Sequence, residues 1–242
     1  MLHIVLWKWK QAGYREAYTS KHVNVMAAMI RRNLTIPHRI ICVTDDGYGI
    51  SPRVEVHPLW NDFYDMQSVM GTGMPSCYRR LKLFDPDTQR DMGIRNGDRV
   101  CWIDLDAVVV ANLDKMLSRP DTFLGWSVRG TYHLRVFNGS MTMFTAGELA
   151  FIWSEFDPET SPEKAKNAGY LGSDQGWLSY RLAMNPEYAG WTWPVIASYP
   201  RELMRRPLLP KGVAIAFFHG KRKPWHPEVN SATPWVAQHW KE

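Results

Sequence analysis

Two aspartates, Asp104 and Asp106, interrupt an apolar run at residues 100–110 of the 242-residue chain. The run is rich in β-branched residues, the composition of a strand buried on both faces of a sheet. Side chains two apart on a strand point the same way, so the spacing predicts both carboxylates on one side. Two adjacent buried carboxylates are unfavourable unless protons or a cation neutralise them. A divalent ion with hard oxygen ligands does this, and such ions commonly bridge a protein carboxylate and a substrate phosphate. The alternative is a strand end where both aspartates emerge into solvent or cap the following turn.

A second constellation lies near the C-terminus. Residues 213–218 read as an apolar strand that runs into His219-Gly220-Lys221-Arg222-Lys223-Pro224-Trp225. Two carboxylates and one imidazole suit Mn²⁺, which accepts mixed nitrogen and oxygen ligands, with Mg²⁺ as the alternative. A glycine beside such an ion lets a diphosphate approach the backbone. Lys221, Arg222 and Lys223 bring positive charge to a phosphate leaving group. The combination makes sense for a reaction in which a nucleoside diphosphate departs.

These residues need elements that bring them together. Residues 3–7 predict a strand, and residues 17–33 a helix with Val23, Met26, Ala27 and Ile30 at helical spacing. Arg31 and Arg32 close that helix, where positive charge suits the dipole. Residues 39–44 predict a second strand, ended by the turn Asp45-Asp46-Gly47. Strand, helix, strand is a βαβ unit with parallel strands, and in such sheets ligands collect at the carboxyl ends. That rule gathers Trp7 to Tyr14, Thr44, Asp45 and the aspartate pair along one edge. Residues 54–56 read as a short third strand, and residues 61–75 as an irregular connection. Residues 76–84 predict a helix with Tyr78, Leu81 and Phe84 on one side and Arg79, Arg80 and Lys82 elsewhere. Such cations usually face solvent, but this helix directly precedes the aspartate run, which favours one of them meeting a phosphate. Residues 112–117 begin a short helix, residues 134–144 form a strand pair or a bent strand, and Gly139 there permits close backbone approach. Residues 148–156 predict a helix, residues 158–166 a polar exposed stretch, and Ser173 or Asp174 an N-cap.

Composition excludes several classes. The chain is 45% hydrophobic and 22% charged, ordinary for a globular protein and unlike a disordered one. No apolar run is long enough to cross a bilayer and no signal-peptide pattern opens the chain, so a soluble cytoplasmic protein is the expectation. Cys42, Cys77 and Cys101 are odd in number and unclustered, which predicts reduced packing residues. A single domain, 1–242, is the simplest organisation, with halves at about 1–110 and about 111–242. The net charge of +5 suits anionic partners, whether nucleotide phosphates, anionic glycans or nucleic acid.

In order along the chain, these segments resemble the GT-A glycosyltransferases, most closely glycosyltransferase family 8, the group that includes glycogenin and bacterial lipooligosaccharide galactosyltransferases. Arg80-Leu81-Lys82-Leu83-Phe84 is similar to the family's basic helix. Asp104-Leu105-Asp106 with Asn112-Leu113-Asp114 resembles its Asp-x-Asp strand and following turn. Phe137-Asn138-Gly139-Ser140, Gly172-Ser173-Asp174-Gln175-Gly176 and His219-Gly220 with Lys223-Pro224-Trp225 resemble three further family segments. The resemblance implies an α/β fold of GT-A type, with a Rossmann-like, mixed but mostly parallel central sheet flanked by helices. It also implies metal-dependent, retaining transfer of a hexose from a UDP-sugar to a glycan, a lipid-linked acceptor or another acceptor, an anionic one included. Carried over, Asp104, Asp106 and His219 hold Mn²⁺, and Leu105 contacts the ribose through its backbone. Trp9, Tyr14, Thr44 and Asp45 form the base pocket. Arg80 lies near the phosphates and donor sugar, and Gly139, Gly220 and Lys223 belong to the donor site. Asn138, Asp174 and Gln175 surround the transferred sugar, with Gln175 near the anomeric carbon. Two departures stand out: arginine replaces the usual lysine at position 80, and the C-terminal motif is shorter, so that Lys221 competes with Lys223 as the phosphate lysine.

Two other classes compete. A sugar-nucleotide nucleotidyltransferase also uses aspartates on a related fold, but needs a Gly-rich basic loop after the first strand, and Gln11-Ala12-Gly13-Tyr14 is not one. A non-catalytic basic carbohydrate- or nucleic-acid-binding protein fits the twelve tryptophans and the positive charge, yet leaves the aspartates and His219 without a purpose. Nucleic acid is therefore the less favoured partner. Residues 61–75 and 191–210 are expected to shape acceptor choice, with Trp191, Trp193 and Arg205 or Arg206 as contacts.

Overall fold

The structure is a computed structural model that describes residues 1–10, 17–71, 76–129, 134–204 and 206–242. Its first unit is β1 (Leu2–Lys8), α1 (Ser20–Asn33) and β2 (His38–Thr44), with the two strands parallel and in register from Leu2 against His38 to Lys8 against Thr44. All of β1 is buried, because both faces of the sheet are covered. Leu2, Ile4 and Leu6 point toward α1, whereas Val5 and Trp7 point to the opposite side. Strand β3 (Glu55–Pro58) adds to the outer edge of β2.

Beyond β1 the sheet continues through β4 (Arg99–Ile103), then β7 (Arg135–Thr145), β6 (Phe123–Arg129) and β8 (Ala189–Trp191), giving the order β3-β2-β1-β4-β7-β6-β8. β7 runs antiparallel to both neighbours, and the other pairs are parallel. This mixed, mostly parallel sheet flanked by helices is the architecture expected. A second sheet of β5 (Ala107–Val109), β10 (Ile215–Phe217) and β9 (Ile196–Ser198) packs with α1 on one side of the first. On the other side lie a 3₁₀ helix (Tyr78–Phe84) and α6 (Asp174–Leu182). Shorter helices complete the chain: α2 (Pro86–Asp91), α3 (Asp114–Leu117), α4 (Phe151–Ser154), α5 (Ser161–Asn167), α7 (Pro227–Ala232) and α8 (Trp235–His239).

Three expectations change. The apolar run at 100–110 is two strands in two sheets: β4 stops at Ile103, the chain turns through Asp104–Leu105–Asp106, and β5 pairs antiparallel with β10. Keeping both carboxylates inside a two-faced sheet would bury them without partners, and the turn gives each a separate one. Of residues 76–84, Tyr78–Phe84 form a 3₁₀ helix, whose three-residue turn aligns Tyr78, Leu81 and Phe84 in the core. The stretch expected to be polar and exposed contains α5, with Ser161, Pro162 and Ala165 buried. Cys42, Cys77 and Cys101 are free, as expected. No helix among the described residues is long and apolar enough to cross a membrane.

Candidate active site

The carboxyl end of β4 is the meeting point. Asp104 and Asp106 lie in the turn that follows β4 and take different partners. Asp104 accepts a hydrogen bond from Arg80 Nη1 at 2.7 Å, and Asp106 accepts one from Lys223 Nζ at 2.5 Å. Arg80 is not on a solvated face: its side chain is 5% exposed, and its Nε also donates to Asp174 Oδ2 at 2.7 Å. The 3₁₀ geometry turns Arg80 inward under the sheet end, where its guanidinium also lies over Trp102, 5.5 Å from the ring centroid.

Further residues of the group arrive from β7 and α6. Because β7 runs antiparallel to β4, its middle lies beside the end of β4, and Asp104 N–H donates to Ser140 O at 2.9 Å. Gly139 sits against the arginine: a Cβ there would come 2.9 Å from Arg80 Nη2 and 3.3 Å from Gln175 Cβ, which is why no side chain fits. Gly139 N–H donates to Gln175 Oε1 at 3.2 Å, and Asn138 Oδ1 accepts from Ser140 N–H at 2.9 Å. Asp174, only 2% exposed, opens α6. Ser173 precedes it, but its hydroxyl accepts from Cys77 N–H at 2.9 Å and caps no helix amide. Asn138, Gly139, Asp174, Gln175, Arg80 and Asp104 are thus brought together.

The C-terminal segment closes the group. Phe218 N–H donates to Asp106 O at 2.7 Å, which puts His219 next to the aspartate turn. His219 Nε2 is 2.7 Å from Ser198 Oγ. Burial and Arg201 lower the His219 pKa against the pull of Asp106, so the ring is neutral near pH 7. Gly220 adopts a left-handed φ of 93°, a conformation that suits glycine. Of the two competing lysines, Lys223 reaches the carboxylates and Lys221 is exposed.

The donor set fits a divalent cation in kind and in charge. Within the cluster three carboxylates, Asp104, Asp106 and Asp174, face two cations, Arg80 and Lys223. Burial, reinforced by Asp106 and Asp174 and opposed by Arg80, pushes the Asp104 pKa up to about 7. Burial also raises that of Asp174. One more positive charge would hold these acids ionised. In this arrangement the three expected ligands are engaged by Arg80, Lys223 and Ser198. Among the described residues no group of three His, Cys, Asp or Glu side chains is close enough to hold a metal.

At the carboxyl end of β2, Thr44 is buried and Asp45 is exposed, with Asp45 Oδ2 accepting from Lys10 N–H at 2.9 Å. Trp9 is half-buried and edge-on to Trp7, with centroids 6.1 Å apart. Tyr14 and Arg205 lie outside the described residues. The Leu105 side chain is core, leaving its backbone at the turn.

Two residues went unnoticed in the sequence. Ser198, the partner of His219, carries no motif. Lys8 ends the apolar strand β1 at 6% exposure, and no described residue accepts from its ammonium. An ionisable residue closing an apolar run was the available signal.

No protein-family profile matches the sequence, and no curated protein sequence is significantly similar to it. Solved structures are similar in fold. The galactosyltransferase LgtC, in complex with donor and acceptor sugar analogues, superposes with a TM-score of 0.62 at 14% identity, over 99% of this chain and 97% of that one. The glycosyltransferase GlyE of Streptococcus pneumoniae TIGR4 gives 0.57 at 12% identity, over 99% of this chain and 62% of that one. The bifunctional glycosyltransferase WbbM gives 0.54 at 13% identity, over 98% of this chain and 50% of that one. The fold is the GT-A glycosyltransferase fold. The aspartate turn, Arg80 and the C-terminal lysine sit where that fold collects ligands, at the carboxyl ends of the parallel strands.

Proposed function

We propose that the chain is a glycosyltransferase that moves a hexose from a UDP-sugar to a glycan, a lipid-linked acceptor or another acceptor, using Mn²⁺ or alternatively Mg²⁺, with retention at the anomeric carbon. One observation carries the reading: Asp104, Asp106, Asp174, Arg80 and Lys223 converge at one strand end, with Gln175 and Gly139 adjacent. Pure carbohydrate or nucleic-acid binding does not call for such a concentration of paired buried charge. The fold shared with LgtC, whose solved forms include an active-site glutamine-to-glutamate variant, supports the same reading and a place for Gln175 at the reacting centre.

Asp104, Asp106 and His219 would hold the cation. Bound there, it would supply positive charge to the departing diphosphate. Lys223 would exchange Asp106 for a phosphate oxygen, and Gly220 leaves the backbone open to that group. Arg80 fixes the Asp174 carboxylate, which accepts from sugar hydroxyls. The Gln175 carbonyl, aligned by Gly139 N–H, faces the positive charge that develops at the anomeric carbon. Trp9, Thr44 and Asp45 would border the base. The exposed Arg201, Arg206, Lys221 and Arg222 near the His219 segment favour an anionic acceptor.

The test is thermal denaturation with UDP and Mn²⁺ together and separately. Both at about one hundred times their dissociation constants stabilise by about 3 kcal/mol, roughly 5–10 °C for a chain of this size. Replacing both aspartates, Asp104→Asn with Asp106→Asn, removes the joint gain. Equal stabilisation by UDP in chelator would sink the metal-dependent reading. Slow Mn²⁺-dependent hydrolysis across a panel of UDP-sugars identifies the donor.

A further inference from the structure

Lys223 reaches Asp106 from a segment that is anchored elsewhere. Pro224 follows it and is buried, and then Trp225 turns its ring onto α1. The Trp225 centroid lies 4.1 Å from that of His22, 6.1 Å from that of Tyr18 and 5.7 Å from that of Trp240. His22 occupies the third position of α1 and is 8% exposed. Its Nδ1 accepts from Thr19 N–H at 2.8 Å, which holds the ring against Trp225 at an interplanar angle of 49°. His226 N–H donates to Lys223 O at 3.0 Å and tightens the turn. A rigid proline between Lys223 and Trp225 transmits where the indole sits to where the ammonium points.

We propose that His22 is a positioning residue for diphosphate recognition: by packing against Trp225 it sets the reach of Lys223 into the donor site. The inference rests on the reading of Lys223 as a diphosphate contact. His22 has two separable duties. Its ring packs against Trp225, and its nitrogen closes the first turn of α1 as a glutamine at that helix position also would. A merely structural histidine would lose ligand affinity in step with stability, whereas a positioning one would not.

Two substitutions separate these duties. His22→Phe keeps a ring and loses the acceptor; His22→Gln keeps an acceptor and loses the ring. Calorimetric UDP binding in Mn²⁺ should weaken about three- to tenfold in His22→Gln, the range expected of one lost aromatic contact, and stay near wild type in His22→Phe. Melting temperatures should rank the other way. In a Lys223→Met background, His22→Gln should cost less than about twofold, because the group it positions is gone. Wild-type affinity in His22→Gln, or the same loss in both backgrounds, overturns the inference. If Lys223→Met itself binds UDP normally, the diphosphate role of Lys223 fails instead. Hydrogen exchange of the 219–226 amides then decides the strut alone: faster exchange in His22→Gln than in His22→Phe supports it, and equal exchange overturns it.

Discussion

Replacing Arg80 with methionine should destabilise the protein in a manner that grows with pH. The guanidinium is 5% exposed and holds Asp104 and Asp174 at 2.7 Å each, so Arg80→Met leaves two carboxylates without this cation. Breaking a buried ion pair from one side costs about 3–5 kcal/mol, roughly 10 °C in melting temperature at this chain length. The pH dependence follows from the carboxylates. The folded-state pKa of Asp104 is about 7 and that of Asp174 is also raised, both above their unfolded values. The folded state therefore binds more protons than the unfolded one between about pH 4 and pH 7, and stability falls as pH rises through that window. Without the opposing charge of Arg80 both pKa values climb further. The deficit of the variant is then smaller near pH 5, where Asp104 is protonated, and larger near pH 8. Urea unfolding of both proteins in chelator at the two pH values measures it. A variant as stable as wild type at pH 8, or one with the same deficit at both, refutes the argument.

Two further substitutions address the cations. Lys223→Met frees Asp106 from its 2.5 Å partner, so Mn²⁺ alone should bind roughly tenfold tighter while UDP binds more weakly, as followed by paramagnetic resonance and calorimetry. An unchanged Mn²⁺ affinity would mean that Lys223 and the ion do not compete for that carboxylate. Lys8→Met removes a positive charge at the carboxyl end of β1, so it should lower nucleotide affinity and leave the melting temperature within about a degree of wild type. A loss of stability there would show that the lysine serves the fold and not a ligand.

Where the physics is local, the chain was readable. The period of Val23, Met26, Ala27 and Ile30 and the flanking apolar runs define β1, α1 and β2, and the parallel pairing follows. The motifs at 80, 104, 138, 174 and 219 do meet at one end of the sheet, because parallel strands bring their carboxyl ends together. The break after Ile103 was hidden, since the apolar pattern runs through it and only the second sheet shows why the chain turns. The burial of Arg80 was hidden too: Tyr78, Leu81 and Phe84 are spaced by three, which suits a 3₁₀ turn as well as an α-helix, and the two differ in where Arg80 points. Ser198 and His22 act through contacts with residues far along the chain, His219 and Trp225, for which no short-range pattern exists.

The aspartate turn joins two sheets as well as two charges. Ile103 is the last residue paired with β1, and Ala107 the first paired with β10, so Asp104, Leu105 and Asp106 span the seam. Any relative shift of the two sheets is absorbed at that seam and changes the spacing of the two acids. On the proposed reading, release of a nucleotide and release of its cation would then be coupled through one short turn.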